Sequence, residues 1–255
     1  LNNLRILKQF NGCCFADLDL KQQGVIEDFQ LLFYIIQPPT PERVKYDIFD
    51  RVNRGGTPLN KQEMRNALYR GRCTRMLDKL CCSPEFLIAT GRSINKERMK
   101  DQYVVLRAMA FLMLHRGEFK DIPALQYRGD IDDFLARFMV YVNDNAPEKL
   151  IVDYENLFIR CMQISYDLLG ENGFRFSGNG IRRPINMPLF EALSYLFSFV
   201  PEKIDYTWAS RLILDIESVK EEFDDSRYFS GNIDSTTSVS FRFDRMDKII
   251  NRIQL

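Results

Sequence analysis

Apolar residues recur every three to four positions along most of this chain, the period of an α-helix that turns one face to a core. Val44, Ile48 and Val52 stand at i, i+4 and i+8. Asn53-Arg54-Gly55-Gly56 then interrupts the stripe, because glycine accepts the left-handed dihedrals that close a helix. Asn60 followed by Glu63 is a capping-box-like start for the next helix, with Met64, Ala67 and Leu68 as its expected buried face. Beyond it the spacing predicts short helices over 76–82 and 83–90, the second with Pro84 at its start. A helix apolar almost all round follows over 97–115, then helices over 131–142 and 147–169 and a glycine-rich loop over 170–180. Asn186 caps a helix reaching residue 199, with Pro188 near its start. The pattern ends with a helix over 207–223, a polar loop over 224–238 and a basic helix over 239–253.

The first forty residues read differently. Residues 1–10 alternate apolar and charged positions in helical fashion. Over 27–37, Phe29, Leu31, Phe33 and Ile35 alternate at period two, which predicts a strand ended by Pro38-Pro39. Thr40-Pro41-Glu42 opens the helix that carries Ile48. The expected fold class is mostly α, a multi-helix globular bundle with at most a small β element near the N-terminus.

Composition narrows the class. At 255 residues, 45% hydrophobic and 27% charged, the chain has the makeup of a soluble globular protein of one or two domains. Its longest apolar run, 104–114, is broken by Arg107 and falls short of the ~18 residues that mark a membrane span. A signal peptide is not expected at the start. Cys13, Cys14, Cys73, Cys81, Cys82 and Cys161 include two adjacent pairs and no CxxC spacing, which argues against a disulfide framework or a zinc ribbon. Buried thiols in a reducing cytoplasm are the expectation.

Zero net charge conceals an asymmetry. Between Pro41 and Leu80 ten Lys/Arg stand against five Asp/Glu, a local excess of five positive charges. From Asp215 to Asp234 seven acidic residues stand against two basic ones, an excess of five negative charges. A basic pole beside a glycine turn suits anion binding, although an obligate DNA wrapper would be basic overall.

The candidate chemistry lies at that turn. Arg51, Asn53 and Arg54 flank Gly55-Gly56, and Glu63, Arg65 and Asn66 lie on the first turns of the helix beyond. Guanidinium groups grip phosphate at two points, and glycine amides take a further oxygen. Equally, Arg51 and Glu63 pair across the turn and merely hold two helices together. Both readings stand. No Walker-type Gly-Lys-Ser/Thr order is present. Arg107 interrupts an apolar helix and needs a partner, with Asp101, Glu63 and Glu191 as candidates. Arg182, Arg183 and Asn186 precede a helix N-terminus, where an anion is electrostatically welcome, although a solvated loop accounts for the same residues without one. His115, the one histidine, ends an apolar helix and reads as a C-terminal capping residue. Phe134, Phe138 and Tyr141 have core spacing rather than the basic interleaving of a base-stacking platform.

The stretch from Ile48 to Gly71, IFDRVNRGGTPLNKQEMRNALYRG, resembles the signature of the helical half of GmrSD-type proteins. RMKDQYVVLR at Arg98–Arg107, YRGDIDDFLARFM at Tyr127–Met139 and RRPINMPLFEAL at Arg182–Leu193 resemble the same family, in order along nearly the whole chain. That family joins a ParB/sulfiredoxin-like domain to the helical part, in modification-dependent restriction and other anti-phage systems. Its Asp-Gly-Gln-Gln-Arg motif is not in this sequence. The resemblance therefore implies a helical domain over 41–255 preceded, over 1–40, by the junction to a ParB-like domain, whose sheet the expected strand would join.

What the resemblance further implies is nucleotide-dependent sensing or cleavage of foreign DNA, with the catalytic loop supplied by the ParB-like domain. No catalytic or metal-binding residue is assigned to this chain. Arg51, Asn53, Arg54, Gly55, Gly56, Glu63, Arg65 and Asn66 would bind nucleotide or phosphate from the second side, with Arg107, Arg183 and Asn186 behind them. A nucleoside triphosphate, with magnesium, belongs to the complete protein, and the isolated chain is expected to be inactive. The implied partners are the N-terminal domain or a partner subunit and DNA, with a homo-oligomer also allowed and no membrane. Two other readings remain open: a non-enzymatic protein-interaction module, and a reader of DNA or RNA phosphates.

Overall fold

The computed structural model describes residues 4, 6–33, 35, 37, 44, 48, 51, 58–177, 182–201, 203, 205–224, 227–229 and 231–253. The chain divides into two units, Leu1–Asp47 and Ile48–Leu255.

In the first unit, short 3-10 turns at Lys8–Phe10 and Phe15–Asp17 precede α1, Leu20–Glu27. The helix expected over 1–10 is reduced, in its described part, to the first of these turns. The strand expected over 27–37 is not formed either, and no strand occurs among the described residues. The Asp19 carboxylate accepts from the Gln22 amide N–H at 2.7 Å, and Gln22 Oε1 accepts from the Asp19 N–H at 3.1 Å. This reciprocal cap starts a helix that runs through Glu27. Alternation alone does not make a strand, because the backbone polar groups need a neighbouring strand to bond. Phe29, Leu31, Leu32, Phe33 and Ile35 are exposed instead.

The second unit is helical. Its elements are α2 (Lys61–Leu68), α3 (Arg72–Cys81), α4 (Pro84–Ala89), α5 (Lys100–His115), α6 (Ile131–Asp144), α7 (Glu148–Leu169), α8 (Met187–Phe197), α9 (Tyr206–Asp224) and α10 (Thr236–Ile253). As its composition demands, α5 is buried on every side from Val104 to Met113. It lies against α8, α3 and α6, while α8 also packs on α10 and α4 packs on α7. Phe111 of α5 meets Tyr127, Phe134 and Phe243 with ring centroids 5.2 to 5.7 Å apart. Each such buried ring contributes about 1.5–3 kcal/mol. Phe134 and Phe138 are buried and Tyr141 half-buried, as their spacing requires.

Cap chemistry sets the helix starts. Ser83 Oγ accepts from the Phe86 N–H at 3.3 Å, Asp130 Oδ1 from the N–H groups of Asp132 and Asp133, and Asn186 Oδ1 from the Leu189 N–H at 2.9 Å. Cys14, Cys73, Cys81, Cys82 and Cys161 are free thiols. Cys73, Cys81 and Cys161 are buried, and burial pushes the Cys161 thiol up to about 12. Cys14 and Cys82 are exposed, so the expectation of six buried thiols holds for only part of the set. No described helix is long and apolar enough to cross a membrane.

Candidate functional site

The start of α2 is the best-defined corner near the sequence-predicted site. Asn60 Oδ1 accepts from the N–H groups of Gln62 and Glu63 at 2.8 and 2.9 Å, and the Glu63 carboxylate accepts from the Asn60 N–H at 2.6 Å. The capping box is therefore complete. Asn60 has a second task, donating its side-chain amide to the Arg98 carbonyl at 2.7 Å. The Arg98 guanidinium donates in turn to Glu63 at 3.0 Å and to the Pro58 carbonyl at 2.5 Å.

Arg98 and the next residue, Met99, both adopt left-handed backbone, with φ of 57° and 58°. Two such residues in succession cost about 1–2 kcal/mol each, so the surroundings must hold them. Asn60 holds the first through its carbonyl. Asn66 holds the second, donating to the Met99 sulfur at 3.1 Å while also donating to Gln102 and accepting from Gln62 at 2.8 Å. The double bend turns the chain from the 3-10 turn Glu97–Met99 into α5.

Arg65 is wholly buried. It donates to Gln62 Oε1 at 3.1 Å and to Asp132 Oδ1 at 2.8 Å, and its guanidinium carbon lies 5.3 Å from the centre of the Tyr103 ring. Lys61 pairs with the other Asp132 oxygen. Burial would raise the Asp132 carboxyl, but hydrogen bonds from Lys61 and Arg65 outweigh it and hold the group below its ordinary value. The same bond raises Lys61. Arg98, followed by the Asn60 amide, lowers Glu63. Lys61, Arg65 and Arg98 line a cleft of about 490 Å³ that, among the described residues, also carries Lys100 and one carboxylate, Glu97, while Glu63 and Asp132 pair with its cations from outside the lining. That volume lies within the 300–1,000 Å³ typical of ligand pockets.

Of the expected site, Glu63, Arg65 and Asn66 share α2. Arg51 is helical and exposed, whereas Asn53, Arg54, Gly55 and Gly56 lie outside the described residues. The roles differ from expectation. Glu63 pairs with Arg98. Glu63 and Asn66 are committed to the cap and the bend rather than turned toward a ligand. The buried face of α2 carries Gln62, Met64 and Arg65, while Ala67 is exposed, since Asp132 and Tyr103 offer partners that make polar burial tolerable. Lys61, Arg98, Lys100, Tyr103 and Asp132 were missed as site residues. Their signal was present, since Arg98 and Tyr103 lie in one of the family-like stretches and Asp132 in another.

Arg107 finds one of its three candidate partners. It pairs with Glu191, and it also grips Asp234 with two N–H groups at 2.6 and 3.2 Å. Its ion pairs go to these two carboxylates rather than to Asp101 or Glu63. Burial opposes the charge, yet Glu191 and Asp234 raise the group well above its ordinary value. Glu191 receives Arg242 on its other oxygen at 3.2 Å. Tyr103 touches both systems, because its hydroxyl accepts from Arg107 at 3.1 Å. Arg183 pairs with Asp224, and Asn186 caps α8, so neither stands behind the α2 cleft. His115 does not act as a capping cation. It stacks on Phe243, 3.6 Å between centroids, and burial followed by the charge of Arg242 lowers it to about 3. It is neutral at physiological pH.

Comparisons with protein-family models, with curated proteins and with solved structures found no match.

Proposed function

We propose that the unit Ile48–Leu255 is the phosphate-holding helical part of a GmrSD-like defence protein and contributes one wall of a composite nucleotide site. One observation carries this reading. Two stretches far apart in sequence, the α2 corner and Asn95–Tyr103, meet at one cleft lined by four cationic side chains, and Asp132 at the start of α6 pairs with two of them, Lys61 and Arg65. A pre-bonded set of cations binds a triphosphate without first ordering flexible side chains. Lys61 and Lys100, both exposed, supply charge at the mouth, and Arg65 is fixed at the back by Asp132 and Tyr103. Glu63 and Asp132 are already taken up by cations, so these residues do not fit a magnesium site. His115, stacked and neutral inside the core, is no general base for the cleft, and this reading assigns hydrolysis to groups from another domain or subunit.

Titration calorimetry with ATP and GTP tests the reading. Saturable, salt-sensitive binding without turnover is expected, weakened about tenfold by Lys100→Gln. Turnover by the 255-residue chain would remove the composite-site element, and binding indifferent to Lys100→Gln would remove the cleft.

A second reading, a protein-interaction module, is favoured by the exposed apolar run Leu31, Leu32, Phe33 and Ile35. Light scattering separates the two, since an inert monomer at all concentrations speaks against that module.

A further inference from the structure

A second cleft, of about 760 Å³, opens where the end of α7 approaches α9. It shares no lining residue with the cleft at α2. Four cations line it, Arg175, Arg182, Arg183 and Lys220, against two carboxylates, Glu171 and Glu217.

The cations fall into two kinds. Arg175 and Lys220 are buried, at 4% and 5% exposure. Among the described residues, every hydrogen bond of Arg175 goes to an uncharged oxygen: the carbonyls of Glu171, Thr90 and Arg183 and the Ser93 hydroxyl. Its charge is therefore fixed in place with no carboxylate bonded to it. Burial first, and then the charge of neighbouring Arg182, hold this guanidinium below its ordinary value, with Glu171 acting the other way. The Lys220 ammonium donates to Glu217 at 2.9 Å and to the Asn172 carbonyl at 3.4 Å, which among the described residues uses two of its three N–H groups.

Arg182 and Arg183 are of the other kind. Each is partly exposed and bonded to a carboxylate that is itself partly exposed, Arg182 to Glu171 at 2.7 Å and Arg183 to Asp224. Surface pairs of this sort contribute little, so a more highly charged anion displaces the carboxylates easily. Gly91, with φ of +58°, leaves the room in which Arg182 lies, since a Cβ there would collide with its guanidinium. Buried fixed charge behind and exchangeable guanidinium groups in front match a ligand with two adjacent phosphates.

We propose that this cleft binds a diphosphate group, either as inorganic pyrophosphate or as the diphosphate of a nucleotide. Arg182 and Arg183 would trade their carboxylates for phosphate oxygens, with Arg175 and Lys220 supplying the potential beneath.

Calorimetric titration of the full chain at low ionic strength, first with pyrophosphate and then with ADP, tests this. Saturable binding of at least one probe is expected. Arg182→Gln and Arg183→Gln should each weaken it about tenfold. Glu171→Gln should tighten it severalfold, because it removes the carboxylate that competes for Arg182. That gain is one that a merely structural arginine would not show. Pyrophosphate alone points to an inorganic ligand, and ADP at least as tight points to a nucleotide. The tightening produced by Glu171→Gln should persist in a Lys100→Gln background, whatever that change does to nucleotide binding at the α2 cleft, which keeps the two sites apart. Absence of saturable binding by either probe at millimolar concentration, or binding indifferent to both arginine changes, overturns the proposal.

Discussion

Arg107 and Glu191 form an ion pair in which neither side chain is more than 1% exposed, and the second oxygen of Glu191 is held by Arg242, itself wholly buried. One carboxylate thus joins α5, α8 and α10 through the core. Removing it strands two buried guanidinium groups, of which, among the described residues, Arg107 alone has another carboxylate, Asp234. Glu191→Gln should cost about 3–5 kcal/mol in urea unfolding. Arg107→Met/Glu191→Leu/Arg242→Met should regain most of that loss, because a desolvated triad returns little net energy against apolar side chains of similar size. A triple variant no more stable than Glu191→Gln would mean that the triad itself holds the core together.

His115 makes folding sensitive to acid. Its folded-state value, about 3, lies below the ordinary 6.5, so between those values the unfolded chain takes up the proton and the folded chain does not. Stability is complete above pH 6.5 and falls as pH drops, by about 1.4 kcal/mol per unit. His115→Phe keeps the stack on Phe243 and should flatten the decline between pH 6 and 4. Equal pH slopes for the two proteins would show that the imidazole stays neutral for no energetic reason.

Asp132 adds to the acid sensitivity at lower pH. Its folded-state value is depressed, so its contribution is present above the ordinary 3.8 and is lost as pH falls through the folded value. Asp132→Asn leaves the buried Arg65 without its carboxylate and should cost about 2–3 kcal/mol at pH 7. The gap from the parent protein should narrow as pH falls below the ordinary 3.8 and close once pH has passed the depressed folded-state value. A gap that persists in acid would assign the loss to packing rather than to charge.

Gly71 precedes α3 with extended backbone, so space rather than dihedral strain restricts it. A Cβ would stand 2.6 to 3.0 Å from the Asn143 amide. That amide cannot simply move, since it accepts from the Cys73 N–H and donates to the Tyr69 carbonyl, both at 2.9 Å. Gly71→Ala should therefore cost about 1–3 kcal/mol. Combined with Asn143→Ala, the glycine change should add almost nothing, and strict additivity in thermal unfolding would show that they do not meet.

Helix positions in the second unit were legible because their signals are local. The Asn60–Glu63 box, Ser83 before Pro84, and Asn186 before Pro188 each state a start within four residues, and the all-apolar turn sequence of α5 states its burial. The 27–37 segment shows where local reading fails. Its alternation is real, but a strand exists only when another strand bonds it, and its residues cannot supply that partner. The N-terminal helix was over-read for a related reason, since a short helix depends on packing more than on pattern.

At the candidate site the division is similar. Charge and glycine content drew attention to the α2 corner, and Arg107 announced its need for a carboxylate. Which carboxylate answered depended on distance in space. Asp132, 67 positions from Arg65, and Asp234, 127 positions from Arg107, follow from how α6 and the segment before α10 pack onto α5. Periodicity and caps are written in neighbouring residues, so the chain alone settles where helices begin and which face they bury. Ion pairing falls off with separation through space, and that separation exists only once the helices have met.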